Sequence, residues 1–236
     1  MKEQPVNAAK QRILEVSTQL FSQKGFDATS INNIAEAANV NKALLYYYFK
    51  NKESILDELV DSLFRDITAL SLDFIYTSVV RMIKEGLLDI LSGRFRFADK
   101  KAAEHFFREA HTFSAKQLDY LLEQRALVRI VLSESLKNGN HKNDLFRVLD
   151  LTRANMKNPI FKAIYEADND FQYSDNYVFY DFFFTSVPLL SFVAYYDNYK
   201  EVSSLDDTAL RKFFLDSIQE QYRSVFAGEN LILRDQ

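Results

Sequence analysis

Apolar residues along this chain recur mainly at intervals of three and four, which places them on one face of an α-helix. One such stripe runs from about Asn7 to Lys24 and stops at Gly25, a residue that commonly ends helices. A shorter stripe follows Thr29 and Ser30, which are both suited to capping a helix N-terminus. The pattern predicts a long first helix and a second helix of only about two turns.

A tight turn and a third short helix are expected next. Asn39 can enter the left-handed backbone region at low cost, and Asn41 can cap a helix that runs to about Tyr48 or Phe49. A helix, a tight turn and a further helix make up the unit that places a recognition helix in the DNA major groove. This order of elements indicates DNA binding, with a helical bundle whose aromatic residues only pack as the competing interpretation.

The third helix, within NKALLYYYFKNKESIL at residues 41–56, carries four consecutive aromatic residues, which point to every side of a helix. Leu45 and Phe49 lie four residues apart and are predicted to pack against the first two helices. The positions predicted to lie on other faces are Lys42, Ala43, Tyr46 and Tyr47. An outward tyrosine offers a hydroxyl to a phosphate oxygen with little side-chain entropy to lose, and the small Ala43 allows close approach to base edges.

A fourth helix, capped by Asn51, is expected to begin at Lys52 and to continue to about Leu70 or beyond. The lysine adds charge to the positive end of the helix dipole, which is a favourable location for a phosphate. Residues 1–56 carry a formal charge of +2 and the rest of the chain −6, within the net −4. This direction suits an anionic partner at the N-terminal end.

The segment TSINNIAEAANVNKALLYYYFKNKESIL, residues 29–56, resembles the DNA-binding signature of TetR-type transcriptional repressors. That signature runs approximately T-hydrophobic-x-x-I-A-x-x-A-G-V-S-K-G-x-L-Y-x-Y-F-x-x-K-E-x-L, and spacing and identities agree together over roughly 45 N-terminal residues. Asn39 stands in place of the turn glycine, and Asn41, Lys42 and Ala43 stand in place of Ser-Lys-Gly. These departures are compatible with the fold and affect which bases are read.

The resemblance implies an all-α protein with an N-terminal helix-turn-helix DNA-binding domain at residues 1–51. A long helix would connect it to a larger helical domain for effector binding and dimerisation at residues 52–236. The predicted DNA-binding residues are Thr29, Ser30, Asn41, Lys42, Ala43, Leu44, Tyr46, Tyr47 and Lys52. Of these, the resemblance implies phosphate contacts at Thr29, Tyr47 and Lys52. It also implies a homodimer on a palindromic double-stranded operator, released by an unknown small-molecule effector.

Further helices are predicted at about 77–92, 100–112, 116–137, 144–155 and 159–167, with turns at SGR, NGNHKN and DNDFQYSDN. Residues 176–199 are apolar nearly all round, so the helix that they predict must be covered on every side. Pro188 is expected to kink or divide this helix near 184–187. A final helix with an apolar stripe is predicted at 209–226.

The resemblance implies that these last two helices form a four-helix dimer interface with a second copy. The candidate interface residues are Phe183, Val187, Leu190, Ala194, Leu210, Phe214, Ile218 and Tyr222. Closing the chain's own core is the alternative, because buried and interface helices share one composition. The candidate effector-pocket residues are Phe106, Phe113, Tyr120, Phe161 and Tyr165, for which ordinary core packing is again the alternative.

The sequence lacks the residues and motifs that other function classes require. The chain has no cysteine, three histidines, and neither a P-loop nor a GxGxxG or GxSxG motif, so we expect no enzyme activity, metal or cofactor. The most apolar stretch, 182–194, is shorter than a membrane-spanning helix, and MKEQPVNAAKQ lacks the apolar region of a signal peptide. We therefore expect a cytoplasmic regulator without a membrane partner.

Two alternatives to a ligand-released repressor stay open. One is a DNA-binding regulator of the same fold that activates transcription or answers to a protein partner instead of a small molecule. The other is a ligand-binding helical protein or enzyme in which the DNA-binding motif is a relic.

Overall fold

A computed structural model describes residues 5–91 and 94–227 of the 236-residue chain. The chain forms two compact units, one of Met1–Arg65 with Gln124–Leu145 and one of Asp66–Glu123 with Phe146–Gln236. The first unit contains α1 (Pro5–Lys24), α2 (Ile31–Ala37), α3 (Lys42–Tyr48), the first part of α4 (Lys52–Phe74) and, after a long interval of sequence, α7 (Arg125–Ser135).

The turns of the first unit form as the sequence predicts. Gly25 has a φ of 86° and ends α1, and Asn39 has a φ of 51° in the turn between α2 and α3. The N-cap of α4 is Asn51, whose side-chain oxygen accepts a 2.8 Å hydrogen bond from the backbone N–H of Ser54. The predicted bounds of the first four helices are confirmed to within a few residues.

The core of the first unit draws on every one of its helices. Fully buried side chains include Ile13 on α1, Ile34 on α2, Leu45 on α3 and Ile55 on α4. Helix α7 packs against α1 and contributes Val128. The predicted boundary between residues 51 and 52 does not coincide with the division into units, because α4 begins inside the first unit and residues 124–145 return to it.

The second unit is a helical assembly with one small hairpin. Helix α4 continues through a π-helical turn (Ile75–Val80) into α5 (Arg81–Lys84). The elements that follow are β1 (Leu88–Leu91), β2 (Arg94–Phe97), α6 (Lys100–Glu123), a 3-10 helix (Asp144–Thr152), α8 (Pro159–Tyr165), α9 (Asp175–Tyr180), a π-helical turn (Asp181–Ser186), α10 (Val187–Ser203) and α11 (Asp207–Ala227). The prediction of a helical fold is confirmed, with the hairpin as an addition.

The helix predicted at 77–92 is wrong in its second half. The chain leaves the helix at Lys84 and turns at Gly86, which has a φ of 68° that other residues rarely adopt. Strands β1 and β2 then pair in antiparallel register from Leu88 opposite Phe97 to Leu91 opposite Arg94. Alternate burial of Leu88 and Ile90 gives β1 the period of two typical of strands. Of the predicted SGR turn, residues 92 and 93 lie outside the described residues.

The middle helices differ from the prediction in where they break. Helix α6 is continuous from Lys100 to Glu123, and the chain breaks at Gln124 instead of near 113–115. The segment 113–115, where a break was predicted, contains neither glycine nor proline, so no local signal ends the helix there. The segment predicted as a helix at 144–155 is a 3-10 helix ending at Thr152, whereas the helix predicted at 159–167 is confirmed as α8.

Helices α9 and α10 and the π-helical turn between them form one continuous helical run over 175–203. Pro188 lies in the first turn of α10 and does not divide the run. The disturbance predicted near 184–187 is the π-helical turn, which widens the helix just before the proline. Pro188 has no N–H to donate to the carbonyl of Phe184, and that carbonyl accepts a 2.5 Å hydrogen bond from the side chain of Gln221 on α11.

Candidate functional site

Helix α3 is held on the first unit by one of its faces. Leu45 is fully buried and Phe49 is 3% exposed, as their spacing predicts. At the N-terminus of the helix, the Asn41 side-chain oxygen accepts a 2.8 Å hydrogen bond from the backbone N–H of Leu44. This bond leaves the amide N–H groups of Asn41 as donors near the start of the helix. The buried face and the cap together fix which residues α3 presents outward.

The outward face of α3 consists of exposed residues at helical spacing, which are Lys42, Ala43, Tyr46 and Tyr47. Tyr46 is 53% exposed and Tyr47 is 74% exposed, unusually high values for large aromatic side chains. Lys42 and Tyr46 are four residues apart, as are Ala43 and Tyr47, so the four form a continuous surface. A cation, two phenolic hydroxyls and a small central residue can together approach an anionic, grooved ligand.

The turn before α3 is supported by local hydrogen bonds. Ser30 caps α2 in a reciprocal arrangement, in which its hydroxyl oxygen accepts from the Asn33 backbone N–H and the Asn33 side-chain oxygen accepts from the Ser30 backbone N–H. The backbone N–H of Val40 donates to the Ala35 carbonyl at 3.0 Å, next to the left-handed Asn39. The predicted Ser30 position is therefore exposed, but its hydroxyl is already engaged in capping.

The structure contradicts a phosphate contact by the Thr29 hydroxyl. Thr29 is 1% exposed, and its hydroxyl donates inward to the carbonyl oxygens of Gly25 at 2.8 Å and Leu20 at 3.3 Å. A buried hydroxyl satisfied by the end of α1 cannot also reach a phosphate on the surface. The hydroxyl for which the resemblance implied a phosphate contact instead joins the end of α1 to the start of α2.

Lys52 is engaged with the loop that joins α1 to α2. Its ammonium donates to the carbonyl oxygens of Phe26 at 2.7 Å and Asp27 at 3.4 Å, and lies 4.3 Å from the centre of the Phe26 ring. An ammonium has three N–H donors, so a phosphate contact would use the third or displace one of these bonds. The phosphate contact of Lys52 therefore stays a prediction.

The second unit contains a cavity of about 180 Å³ lined mainly by aromatic and aliphatic side chains. Two of the predicted pocket residues, Phe106 and Phe113, line it, together with Phe74, whose ring stacks on Phe113 at 4.8 Å. The remaining three predictions lie outside the cavity lining. The Tyr120 hydroxyl instead donates to Asp66 at 2.8 Å, and Phe161 is a core residue whose ring stacks on Tyr165 at 5.6 Å.

Sequence reasoning missed the acidic residue in the cavity lining. Asp181, on the π-helical turn, is the only charged residue among the described lining residues, and it is accompanied there by Tyr173, Tyr177, Tyr180 and Tyr222. Burial raises the pKa of the Asp181 carboxyl to about 6, against a smaller lowering by the hydrogen bond from Ser186. An aspartate within the aromatic run FYDFFFT was the available signal, since an ionisable group in an apolar stretch is costly unless it is used.

Several of the predicted interface residues belong to the chain's own core. Four of them are at most 8% exposed in a single chain and are Leu190, Ala194, Leu210 and Ile218. Their apolar stripe faces inward, so their placement at an interface is wrong. Tyr222 lines the cavity, Phe214 is half-buried and stacks on Phe192 at 4.1 Å, and Val187 is half-buried. Phe183 is 51% exposed and remains available for contact with a partner.

A different face of α10 is exposed and apolar. We call it the terminal stripe, and it consists of Pro188, Tyr195, Tyr199 and Val202. Pro188 lies four residues after Phe184, and the later members follow at intervals of seven, four and three. Tyr195 is 67% exposed and Val202 is 81% exposed. Helical spacing places these side chains on one side of the helix, opposite the residues that enter the core. The expectation that this helix is covered all round is therefore not met within one chain.

The length of this helix also corrects an expectation. The run over 175–203 is 29 residues long, and by length and composition alone it could cross a membrane, which is weak evidence because core helices of soluble proteins pass the same test. The prediction of a stretch too short to span considered only 182–194, whereas the described helix continues on both sides. A third of the apolar window is buried inside the protein.

Comparison with known proteins adds a family assignment. The family model for bacterial regulatory proteins of the tetR family matches residues 13–59, which contain α2, α3 and the start of α4. A candidate HTH-type transcriptional regulator of Bacillus subtilis, YttP, is 25% identical over 142 residues, which are 57% of this chain and 68% of that protein. The biofilm operon icaADBC HTH-type negative transcriptional regulator IcaR of Staphylococcus aureus is 42% identical over 55 residues, 23% of this chain and 30% of IcaR.

Solved structures share the fold of the whole chain. A candidate fatty acid metabolism regulator from Clostridium perfringens matches with a TM-score of 0.52 at 16% identity, covering 92% of this chain and 97% of that one. A candidate TetR-family transcriptional regulator from Mesorhizobium loti matches with a TM-score of 0.51 at 18% identity, covering 94% and 98%. Residues 13–59 thus match the DNA-binding region of the tetR family of bacterial regulatory proteins, and the chain shares the fold of these solved structures.

Proposed function

We propose that this protein is a sequence-specific DNA-binding transcriptional repressor that acts as a homodimer and leaves its operator when a small molecule binds. The observation that carries the proposal is the outward face of α3, where Tyr46, Tyr47 and Lys42 are exposed on a helix fixed by its buried face. A group of exposed aromatic residues commonly marks a surface that becomes buried when a partner binds. In a helix-turn-helix unit that partner is the DNA major groove.

The outward face divides into two kinds of contact. The Tyr47 hydroxyl, on a side chain that is 74% exposed, and the Asn41 amide at the helix start suit phosphate oxygens. Lys42 and Tyr46 suit base edges, and Ala43 allows the close approach that such contacts need. Leu44 is half-buried at the edge of this face and suits an apolar contact with a thymine methyl. Thr29 leaves the contact set for the reason given above.

The homodimer is supported by the terminal stripe. Tyr195, Tyr199 and Val202 form an exposed apolar row on α10, and such rows mark sites of contact with another protein or with lipid. Contact with a second copy would bury this row, which lies on one face of a helix whose other face is part of the core. In such a dimer the two α3 helices are related by a two-fold axis, so the operator must be palindromic. The protein works where the DNA is, in the cytoplasm.

Release by a small molecule is supported by the cavity in the second unit. A ligand that binds one state of the dimer more tightly shifts the population toward that state and lowers operator affinity by the same free energy. Helix α4 contributes residues to both units, so it is the element through which the two states would differ. The negative regulator IcaR, 42% identical over 55 residues, supports repression as the direction of control.

A gel-shift titration against the DNA upstream of the protein's own coding sequence tests the proposal. The full-length protein should retard this DNA, and unlabelled copies should compete far better than a scrambled duplex. Tyr47→Phe removes one hydroxyl and should weaken binding to both duplexes by about 3- to 10-fold, the amount expected for one phosphate contact. Tyr76→Phe, at a 54% exposed tyrosine in the second unit, is the matched control and should leave binding unchanged.

The outcomes separate the candidate functions. Specific retardation that no small molecule relieves would favour a regulator without an effector. Equal competition by the scrambled duplex would contradict sequence-specific regulation and favour a helical protein whose motif is a relic.

A further inference from the structure

The lining of the cavity in the second unit combines aromatic side chains with one acidic residue. Phe74, Phe106 and Phe113 form its apolar side, with ring centres 4.8 to 6.0 Å from Phe74. The lining also includes Asp181 and two tyrosines, Tyr173 and Tyr177, whose rings stack on each other at 5.6 Å. A cavity of about 180 Å³ is comparable to an engineered cavity of roughly 150 Å³ that binds benzene, so it can hold a one-ring molecule.

Among the described residues, Asp181 has no cationic partner. Asp181 accepts a 3.2 Å hydrogen bond from the Ser186 hydroxyl, and no described lysine, arginine or histidine forms an ion pair with it. No other described lining residue is charged. A carboxylate that is removed from water and only partly hydrogen-bonded is costly in free energy. A ligand that supplies the missing interactions would offset this cost.

The charge and the rings select among ligand classes. An anionic ligand would meet the Asp181 carboxylate at close range and be repelled. A neutral apolar ligand would fill the cavity but leave the carboxylate as it is. A cation is attracted both by the carboxylate and by the faces of the surrounding tyrosine rings, because an aromatic ring presents a negative face to a cation.

We propose that this cavity binds a small organic cation, whose positive centre lies at the Asp181 carboxylate between the tyrosines and whose apolar body lies against Phe106 and Phe113. This inference rests on the ligand-responsive part of the proposed function and names its ligand class. Amines with an aromatic or short aliphatic body and quaternary ammonium compounds belong to that class.

Isothermal titration of the full-length protein without DNA tests the ligand class with three probes of similar size. Benzyltrimethylammonium carries a permanent positive charge, phenylacetate a negative charge, and benzyl alcohol none. The cation should bind at least about tenfold more tightly than either of the others, which corresponds to one well-placed charge interaction. Equal or tighter binding of phenylacetate, or binding of none of the three, would overturn the proposal.

Charge removal at the acid gives the second arm of the experiment. Asp181→Asn should weaken binding of benzyltrimethylammonium by about tenfold or more and change binding of benzyl alcohol by less than about twofold. Asp181→Glu keeps the charge and should retain most of the affinity. Asp170→Asn, at an exposed aspartate outside the cavity lining, is the matched control and should bind like the wild type. Unchanged cation affinity in a folded Asp181→Asn protein would contradict the proposal.

Binding should also depend on pH. The groups that face Asp181 are the hydroxyls of Tyr173, Tyr177, Tyr180 and Tyr222, whose pKa values burial raises above the ordinary value of 10.0, with the Asp181 charge as a further cause. These tyrosines stay neutral between pH 5 and 7.5, so only the carboxyl changes charge. Affinity for the permanent cation should fall by about tenfold from pH 7.5 to pH 5, as a carboxyl with a pKa of about 6 takes up its proton.

This test is independent of DNA. A pocket that rejects cations would leave specific operator binding, and with it the proposed regulator, untouched. A protein that binds cations but fails to retard its upstream DNA would contradict the regulator and not the ligand class.

Discussion

The side-chain amide of Gln221 donates a 2.5 Å hydrogen bond to the carbonyl oxygen of Phe184, four residues before Pro188. In an unbroken α-helix that carbonyl would accept from the N–H of residue 188, which proline lacks. The bond joins α11 to the π-helical turn, the same turn that carries Asp181. The carbonyl that proline leaves without its usual helical donor is thus hydrogen-bonded from the neighbouring helix.

Gln221→Ala removes this bond and leaves the Phe184 carbonyl to solvent. We expect the free energy of unfolding to fall by about 0.5–1.5 kcal/mol, the net contribution of one hydrogen bond at a partly exposed site. Urea denaturation followed by circular dichroism measures the change. Gln219→Ala, on the same helix, keeps the bond and serves as the control. Equal losses in the two variants would assign the effect to α11 as a whole.

Lys52→Ala tests whether the lysine supports the fold, binds DNA, or does both. Loss of its 2.7 Å bond to the Phe26 carbonyl and of its contact with the Phe26 ring should lower the free energy of unfolding by about 1–2 kcal/mol. If the lysine also binds a phosphate, the slope of log affinity against log salt should decrease by about one for every DNA sequence. Lys50→Ala, at an exposed neighbouring lysine, is the control. An unchanged salt slope would leave Lys52 with a structural role alone.

Asp181→Asn should stabilise the protein at neutral pH. The carboxyl has a pKa of about 6 in the folded protein against an ordinary 3.8, so the folded state binds the proton more tightly. The ionised group therefore lowers stability above pH 6, and this penalty declines as pH falls from 6 toward 3.8. The variant should gain about 1–3 kcal/mol at pH 7.5 and nothing at pH 3.5. Urea denaturation at both pH values measures the gain, with Asp170→Asn as the control; a gain independent of pH would contradict the account.

Tyr195→Glu should weaken self-association. The side chain lies in the middle of the terminal stripe, so a buried charge there opposes contact with a second copy. We expect the dimer dissociation constant to rise by about 30-fold or more, as for a hot-spot residue. Sedimentation equilibrium measures it. Leu136→Glu, at an 89% exposed leucine in the first unit, should leave the constant unchanged. A wild-type protein that is monomeric at all concentrations would contradict the homodimer.

The sequence predicted the first unit well because its structure is set by local signals. Asn39, Asn41 and Asn51 each act through a cap or a left-handed turn within a few residues, and these effects can be deduced without tertiary contacts. The inward positions Leu45 and Phe49 followed from helical spacing for the same reason.

The sequence predicted less of the second unit because tertiary contacts decide it. The apolar stripe of α11 was assigned to a dimer interface, but helical spacing does not distinguish a neighbour in the same chain from one in another, and Leu210 and Ile218 enter the chain's own core. The error at Thr29 has a similar cause, since the sequence alone does not show whether a threonine hydroxyl lies at the surface or is buried. Asp181 was missed because its importance depends on the cavity around it.

The central claim is that the outward face of α3 reads a palindromic DNA sequence. Selection of bound duplexes from a random pool by the wild-type protein and by Lys42→Ala tests it most directly. The wild type should enrich an inverted repeat, and Lys42→Ala should lose preference at one or two symmetric positions by about 1–3 kcal/mol each while keeping the others. A pool without sequence enrichment after selection by the wild type, or one that Lys42→Ala leaves identical at every position, would contradict the account.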